Sequence, residues 1–257
     1  MGIRNHIPNF LTCCNLLCGC LAIVSAFDGK LADAAIFVYV AAIIDFFDGF
    51  AARLLNASSP IGKELDSLAD MVSFGLVPSV VVYQLLQQSM NFNWSSYYVF
   101  TQFPFMQYFP FIIAAFSALR LAKFNIDPRQ VQDFIGVPTP ANALLICSFP
   151  LLLHFHMPTL LKFSEKLIYM DIIYHPGFLC GLSLIMSLLL VSEIRLFSLK
   201  FKDFSWANNL NRYIFIGISF LLAGLFHLNA TPIIIIFYIL WSIIWYNLVS
   251  PRMSKLS

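Results

Sequence analysis

Long stretches without a charged side chain divide the sequence into predicted helices. The runs free of Asp, Glu, Lys and Arg cover 5–27, 71–119, 134–161, 172–192 and 213–251. A membrane-spanning helix needs roughly 20 mostly apolar residues, so the second run is too long for one helix. Its polar middle at 89–104 predicts a loop, and the proline and small polar residues at 227–232 predict a turn in the last run. The pattern therefore predicts eight helices, at about 10–27, 33–54, 68–88, 105–125, 139–157, 174–195, 212–228 and 232–250.

The composition identifies the solvent that these helices need. The chain is 60% hydrophobic and 11% charged, whereas a soluble domain averages about 45–50% apolar and about 25% charged residues. This excludes a secreted disulfide scaffold, a disordered regulator and an ordinary cytosolic enzyme. A net charge of +2 is too small for a nucleic-acid-binding protein. We therefore expect an all-α, polytopic membrane helix bundle.

The basic residues predict the orientation of the bundle. With the N-terminus inside, the three outer basic residues are Lys30, Lys162 and Lys166. The twelve inner ones are Arg4, Arg53, Lys63, Arg120, Lys123, Arg129, Arg195, Lys200, Lys202, Arg212, Arg252 and Lys255. Such a bias predicts eight spans with both termini in the cytoplasm. The first apolar segment lacks a small-residue cleavage motif, so we expect a retained helix and one membrane domain over 1–257.

Four aspartates form a cluster in a chain where charges are otherwise scarce. Asp45 and Asp48 lie three residues apart near the end of the second predicted helix, and Asp66 and Asp70 lie four apart at the start of the third. Residues with these spacings share a helix face. The segment 56–62 between the pairs contains serines, proline and glycine, which predict a turn. We therefore expect the four carboxylates to converge at the depth of the inner leaflet.

The cluster predicts a divalent metal site. Four carboxylates at short range repel one another unless a cation neutralises them, and oxygen ligands favour magnesium, manganese or calcium over zinc. Two ions can share the cluster. Gly49 would let a ligand approach the backbone, and Arg53 offers a planar donor set for phosphate, so the group predicts a phosphoanhydride site. The alternative, salt-bridged helix ends, is weaker because Arg53 and Lys63 are the local cations, and charges inside a membrane are usually functional.

The spacing of the cluster resembles a family signature. The pattern Asp45-x2-Asp48-Gly49-x2-Ala52-Arg53-x8-Gly62-x3-Asp66-x3-Asp70 is similar to that of the CDP-alcohol phosphotransferase family at all eight fixed positions. The resemblance implies a membrane enzyme that moves a phosphoalcohol or phosphatidyl group from a CDP-linked donor to an alcohol and releases CMP. It also implies a six-helix catalytic core, here about 7–201, and usually a homodimer. Two further helices, at about 212–250, would then follow the core.

The resemblance implies a role for each residue of the signature. A first Mg²⁺ or Mn²⁺ ion would be held by Asp45, Asp48 and Asp66, and a second by Asp45, Asp66 and Asp70. Asp70 would also be the general base for the acceptor hydroxyl. The CDP moiety would be lined by Gly49, Ala52, Arg53, Ser59 and Gly62. Asn9 and Thr12 are further candidates for binding the donor, with helix capping and interhelical hydrogen bonding as the alternative role.

Segments outside the signature resemble the phosphatidylserine synthase branch of the family. They are 7–15, 73–78, 118–125, 136–141 and 191–195, and the departures are mild, such as Lys123 for arginine and Asn142 for a small residue. The branch implies CDP-diacylglycerol as donor and L-serine as acceptor. Since serine carries a carboxylate, its pocket needs a cation, and the candidates are Arg120 and Lys123 with Asn125 beside them. The alternative is that these cations only anchor a helix end on the cytoplasmic side.

Two other functions stay open at this level. An acceptor such as glycerol 3-phosphate or an inositol compound would favour several basic residues, whereas no charge lies between Asp70 and Arg120. A cation transporter usually places its carboxylates near the bilayer midplane in repeated halves, whereas these lie in one hairpin. We expect an active site at the cytoplasmic face of a bacterial plasma membrane, with CDP-diacylglycerol, L-serine and membrane lipid as partners and no nucleic acid.

Overall fold

The predicted all-helical architecture is confirmed in the part of the chain that is described. The computed structural model describes residues 6–55, 57, 59–92, 102–127, 134–155, 170–199, 205–227 and 230–246. Its principal helices are α1 (His6–Phe27), α2 (Leu31–Leu54), α3 (Pro60–Asp70), α4 (Val77–Phe92), α5 (Ile112–Ile126), α6 (Thr139–His154), α7 (Pro176–Val191), α8 (Trp206–Phe226) and α9 (Ala230–Ile244). A π-helical segment, Met71–Leu76, joins α3 to α4, and a 3-10 helix, Pro104–Phe111, leads into α5.

Each predicted apolar segment overlaps one of these helices, and together they form a polytopic membrane bundle. Among the described residues, five helices are long and apolar enough to cross a membrane: His6–Phe27, Leu31–Leu54, Pro60–Met90, Pro104–Ile126 and Asn209–Phe226. Three shorter apolar helices are Thr139–His154, Pro176–Val191 and Ala230–Ile244. The total of eight spans and the cytoplasmic position of both termini stay predictions.

Some of the predicted topology falls outside the described residues. This holds for most of the predicted loop at 89–104, since 93–101 are not described. It also holds for eight of the basic residues that predict orientation, namely Arg4, Arg129, Lys162, Lys166, Lys200, Lys202, Arg252 and Lys255.

Several helix ends differ from the prediction by four residues or more, and three of them show that the apolar pattern does not mark where a helix begins or ends. The third segment begins at Pro60 rather than near 68, since 60–67 is amphipathic and its start is set by capping. Ser59 has an extended backbone, and its Oγ accepts a hydrogen bond from the Gly62 N–H at 3.1 Å. Serine before a first-turn proline is a strong helix start. α8 begins at Trp206 rather than near 212, without a side-chain cap, and its backbone is not helical at Asn209. α7 ends at Val191 rather than near 195, because the chain continues into a strand.

A short pair of strands, which the sequence does not predict, ties two connections together. β1 (Phe134–Ile135) pairs antiparallel with β2 (Arg195–Leu196). The backbone then continues the contact, since Gly136 N–H donates to Ile194 O at 2.9 Å and Val137 N–H to Leu189 O at 3.0 Å. Gly136 has φ +75°, and a Cβ there would lie 2.4 Å from Leu190 O, so only glycine fits. The start of α6 is therefore fixed against the end of α7.

The first two helices pack closely because small residues line their contact. Ala22, Ala26, Ala34, Ala35 and Ala41 are all fully buried, and small side chains let membrane helices approach closely. Large side chains on the opposite faces are exposed, including Leu17, Leu21, Val24, Ile43 and Phe46. In a membrane protein these faces contact lipid.

α1 also docks tightly on the π-helical segment. A Cβ at Gly19 would lie 2.6 Å from Ser73 Oγ and 3.0 Å from Ser73 Cα. Ser73 Oγ donates a hydrogen bond to the backbone oxygen of Asn15 at 3.0 Å. This close approach places the polar side of α1 next to the aspartates.

Candidate active site

The four aspartates meet where α2 ends and α3 begins. Carboxylate oxygens of Asp45, Asp48 and Asp66 lie within 4.8 Å of one another. Asp70 lies one turn beyond Asp66 on α3, is buried, and its carboxyl contacts that of Asp45. The structure thus brings together all four of the predicted carboxylates.

A tight connection produces this convergence. Leu55 N–H donates to Ala51 O and Ala57 N–H donates to Ala52 O, each at 2.9 Å. These bonds hold the start of the connection against the last turn of α2. Ser59 then caps α3, and the helix packs mainly against α1. As a result Asp66 and Asp70 face the final turns of α2 rather than lipid.

Two polar side chains of α1 bind these carboxylates. Thr12 Oγ1 donates to Asp48 Oδ2 at 2.8 Å, and Asn15 Nδ2 donates to Asp70 Oδ1 at 3.3 Å. Thr12 and Asn15 are both buried, and in this membrane setting such bonds are not exchanged freely with water. Thr12 therefore forms the interhelical hydrogen bond that is the alternative to donor binding, and it also lines the smaller of the two cavities at this end of the bundle.

The structure has one cavity of about 280 Å³ and another of about 230 Å³ at this end of the bundle. The smaller one contains two of the aspartates, Asp48 and Asp66, together with Pro8, Ala57 and Lys63. Its remaining lining residues are six of the seven predicted donor-binding residues, Asn9, Thr12, Gly49, Ala52, Ser59 and Gly62. Arg53, the seventh, is exposed and lies outside this lining. We refer to this space as the donor cavity.

The donor cavity has the chemistry of an anion site. It lies at the N-terminus of α3, the positive end of the helix dipole, although Ser59 already accepts hydrogen bonds from the Gly62 and Lys63 N–H groups. Lys63 in the first turn adds a full positive charge. A Cβ at Gly62 would lie 2.9 Å from Asn9 Oδ1 and 3.0 Å from Ser59 Oγ, so this glycine lets both side chains reach the cavity wall.

The carboxylates fit a divalent cation. Their ligand atoms are all oxygens, come from two helices and converge at one point, which suits magnesium, manganese or calcium. Buried carboxylates also need a counter-charge, and of the two local cations Arg53 is exposed while Lys63 Nζ donates to the backbone oxygen of Asn125. The residues present therefore fit a divalent metal site.

Arg120 lies on the other side of Asp70. Its guanidinium is buried, within electrostatic range of Asp70, and 5.1 Å from the ring centroid of Phe124. Its NH1 donates a long hydrogen bond of 3.4 Å to Thr139 Oγ1. Its Nε has no hydrogen-bond partner within the described part of the chain. A buried arginine is almost always fully paired, so an unpartnered N–H next to a cavity points to a bound ligand.

The larger cavity begins at Arg120. It is lined by cationic Arg120 and Lys123, anionic Asp127 and Glu193, and by Ile126, Ile135, Leu190, Val191 and Ser192. We refer to it as the acceptor cavity. Two of the three predicted serine-binding residues, Arg120 and Lys123, therefore line one space.

Asn125, the third of these candidates, lies elsewhere. Its Nδ2 donates to Ser67 Oγ at 2.9 Å, and its backbone oxygen accepts from Lys63 Nζ at 3.0 Å. It does not line the acceptor cavity. The structure places Asn125 as a link between the end of α5 and the first turns of α3.

Sequence reasoning did not assign several residues of the site. From the sequence, Lys63 is assigned only as an inner basic residue and as a local cation beside the aspartates, although a cation in the first turn after a serine–proline cap predicts an anion site. Asp127 and Glu193 follow the ends of α5 and α7, and only the contact between those ends unites them.

Fold and site together define a polytopic α-helical membrane protein with a carboxylate-rich site at one end of its bundle. The comparison with protein families gives this class its name. The CDP-alcohol phosphatidyltransferase model matches residues 5–198, and the chain belongs to this family. It is therefore an integral membrane enzyme.

Three relatives share this similarity. CDP-diacylglycerol–serine O-phosphatidyltransferase of Bacillus subtilis (strain 168) is 38% identical over 152 residues, covering 56% of this chain and 76% of the relative. The protein of the same name from Helicobacter pylori (strain J99) is 33% identical over 242 residues, covering 92% and 89%. That of Methanocaldococcus jannaschii is 33% identical over 143 residues, covering 56% and 59%. The Helicobacter pylori match extends over most of the chain that follows residue 198, beyond the family model.

Proposed function

We propose that this protein transfers the phosphatidyl group of CDP-diacylglycerol to the hydroxyl of L-serine, giving phosphatidylserine and CMP. The observation that carries the proposal is a pair of chemically different cavities, one lined by Asp48 and Asp66 and the other by Arg120, which lies within electrostatic range of Asp70. One has the features of a nucleotide diphosphate site, and the other carries both signs of charge. The names of the relatives support the same donor and acceptor.

On the donor side, the protein would bind and orient the diphosphate. The N-terminus of α3 and Lys63 would face its negative charge, while Gly49, Ala52 and Gly62 would leave room for the nucleotide to lie against the backbone. Asn9 and Ser59 would supply polar contacts. This arrangement holds the lipid-proximal phosphorus near the aspartates, and positioning of that kind accounts for much of the catalysis of phosphoryl transfer.

The aspartates would hold two divalent ions, Mg²⁺ or Mn²⁺. Asp45, Asp48 and Asp66 would bind the first, and Asp45, Asp66 and Asp70 the second. Ions bound there supply charge neutralisation for the diphosphate and for the leaving CMP. Thr12, through its bond to Asp48, would keep one ligand oriented.

Asp70 would be the general base. Its carboxyl is buried between the cluster and Arg120, and Asn15 holds one of its oxygens. The other oxygen would accept the proton of the serine hydroxyl as the serine oxygen attacks the lipid-proximal phosphorus. The bond from that phosphorus to the bridging oxygen breaks, and CMP leaves with the electron pair.

The acceptor cavity suits a zwitterion better than a phosphate ester. Arg120 and Lys123 can face the carboxylate of serine, while Asp127 and Glu193 provide negative charge for its ammonium group. The unpartnered Nε of Arg120 is the donor that a carboxylate would satisfy. A phosphate ester has no positively charged group that would use the carboxylates of this cavity.

Orientation and assembly belong to the same proposal. The site would face the cytoplasm of a bacterial cell. Serine and the CDP part of the donor are water-soluble, and the basic residues are concentrated on the side predicted to be cytoplasmic. A homodimer is expected from the family resemblance. Neither property is needed for the chemistry of one chain.

A panel of acceptors tests the proposal. Membranes that contain the protein would be supplied with CDP-diacylglycerol, Mg²⁺ or Mn²⁺, and serine, glycerol 3-phosphate or inositol. We expect CMP release with serine and background release with the others. Membranes from cells lacking the protein are the control. Release with glycerol 3-phosphate but not with serine would contradict serine as the acceptor, and release with no acceptor would contradict phosphatidyl transfer.

A further inference from the structure

The two C-terminal helices, α8 and α9, hold the chain segment that follows the acceptor cavity. The Tyr238 hydroxyl on α9 donates to the backbone oxygen of Phe197 at 2.8 Å. Arg212 Nε on α8 donates to the backbone oxygen of Ser198 at 2.7 Å. Consecutive carbonyls, immediately after β2, are thus bound by one side chain from each helix.

Aromatic packing fixes the same segment. Phe197 is fully buried, and its ring centroid lies 5.1 Å from that of Tyr238 and 5.6 Å from that of Phe215, both with edge-to-face geometry. Such contacts are specific in orientation as well as favourable in energy. The segment 197–198 therefore has little freedom relative to α8 and α9.

This segment is continuous with two walls of the acceptor cavity. It extends β2, which pairs with β1, and Ile135 of β1 lines the cavity. In the other direction it leads back through Ile194, which accepts from Gly136, to the lining residues 190–193. Movement at Phe197 would therefore be transmitted to both walls.

Tyr238 also lies close to the buried cation of the cavity. Arg120 is within electrostatic range of both Asp70 and Tyr238. Tyr238 is buried, with 8% of its surface exposed, and lies behind the residues that line the cavity rather than among them. The Tyr238 side chain thus contacts the segment that follows β2 and lies near Arg120, which lines the cavity.

We propose that Tyr238 is a positioning residue for the acceptor: it fixes the 194–198 segment and the setting of Arg120, so that α8 and α9 shape acceptor binding. The identity of the acceptor as serine rests on the proposed function. Helices α8 and α9 both lie outside residues 5–198, the part of the chain that the family model matches. The donor cavity, built from α1, α2 and α3, has no wall from α8 or α9.

The test compares two tyrosine-to-phenylalanine variants. Tyr238→Phe keeps the aromatic contacts and removes the hydrogen bond to Phe197. Tyr174→Phe is the matched control, because Tyr174 is also 8% exposed and its hydroxyl donates to Gln88 Oε1 at 3.3 Å, away from both cavities. For each variant the KM for serine, the KM for CDP-diacylglycerol, kcat and the thermal midpoint in detergent would be measured.

We expect Tyr238→Phe to raise the KM for serine by roughly 3- to 10-fold, the effect of one lost hydrogen bond. Its kcat and its KM for CDP-diacylglycerol should change by less than about twofold. Tyr174→Phe should leave the KM for serine unchanged. An unchanged KM for serine in Tyr238→Phe, or an equal rise in the KM for the donor, would overturn the proposal.

A second variant covers the case in which Tyr238→Phe does not fold. Arg212→Lys keeps the charge but loses the Nε donor to Ser198, and we expect the same selective rise in the KM for serine. No such rise would also overturn the proposal. If the unmodified protein does not use serine, the proposed function fails instead, and the same variants are then compared with the acceptor that the protein does use.

Discussion

Asn15 shows how single residues on α1 shape the site. Its side chain binds Asp70 at 3.3 Å, and its backbone oxygen accepts from Ser73, which lies on the π-helical segment directly after Asp70. The same helix supplies Thr12 to Asp48. Hydrogen bonds of this kind orient carboxylates for ligand binding and proton transfer. Each aspartate pair thus has one partner from α1.

The role proposed for Asp70 predicts a clear separation of binding and turnover. Asp70→Asn keeps the shape of the side chain but removes the base, and general-base catalysis typically contributes about 10²- to 10⁴-fold. We expect turnover to fall by at least about 100-fold, while CDP-diacylglycerol still binds in a metal-dependent way. Turnover near that of the unmodified protein would show that another group takes the proton.

Gly62 tests the donor cavity. Gly62→Ala would place a methyl group 2.9 Å from Asn9 Oδ1 and 3.0 Å from Ser59 Oγ, so one wall of the cavity must shift. We expect the KM for CDP-diacylglycerol to rise about tenfold, in line with the cost of overpacking, with the KM for serine unchanged. Gly181→Ala is the control, since a Cβ there meets nothing within 4 Å. Equal KM values for the donor in both variants would contradict this placement of the cavity.

At the scale of elements, the contact between α1 and the π-helical segment determines the depth of Asp70. A π-helical turn carries one extra residue per turn and is often found at functional sites. Here the segment Met71–Leu76 directly follows Asp70 and is docked on α1 through Gly19 and Ser73. The two segments are in close van der Waals contact, because even a methyl group at Gly19 would overlap Ser73.

Gly19→Ala should therefore destabilise the protein. A Cβ 2.6 Å from Ser73 Oγ and 3.0 Å from its Cα cannot be accommodated by the side chain alone, and overpacking of this kind costs about 1–3 kcal/mol. Gly217→Ala on α8 has open space and should be neutral or stabilising by up to about 1 kcal/mol, from helix propensity. Thermal unfolding in detergent measures both. A Gly19→Ala midpoint at or above that of Gly217→Ala would rule out the close packing.

The elements also show what the sequence could predict. Helix interiors such as 10–27 and 33–54 are marked by apolar runs long enough to be unambiguous. The start of α3 is not, since Lys63, Glu64 and Asp66 interrupt the apolar pattern and the helix depends on the Ser59 cap instead. The π-helical segment and the β1–β2 pair depend on tertiary contacts, and no local pattern indicates them.

The candidate site divides in the same way. The donor cavity could be predicted, because its residues lie in the first 66 positions, within one signature and one helix face. The acceptor cavity could be predicted only through Arg120 and Lys123. Its other walls come from Ile126, Asp127, Ile135 and residues 190–193, and Tyr238 approaches from the far end of the chain. Contacts between such distant segments are invisible to spacing.

At the scale of the whole molecule, one end of the bundle collects every part of the proposed chemistry. The start of α1, the end of α2 and the start of α3 form the donor cavity. The ends of α5 and α7 and the β1 strand form the acceptor cavity, with α8 and α9 behind it. Antiparallel neighbours in a bundle place alternate helix ends together, so this assembly follows from the fold. Two of the aspartates line the donor cavity, and Arg120 of the acceptor cavity lies within electrostatic range of Asp70.

The central claim is that one CDP-diacylglycerol and one serine give one phosphatidylserine and one CMP at this site. The most direct measurement uses purified protein, CDP-diacylglycerol and isotope-labelled serine, and counts CMP and labelled lipid with Mg²⁺ or Mn²⁺ and again after chelation. We predict equal amounts of the two products with the metal and neither after chelation. CMP without labelled lipid, or labelled lipid formed without a divalent ion, would contradict the account.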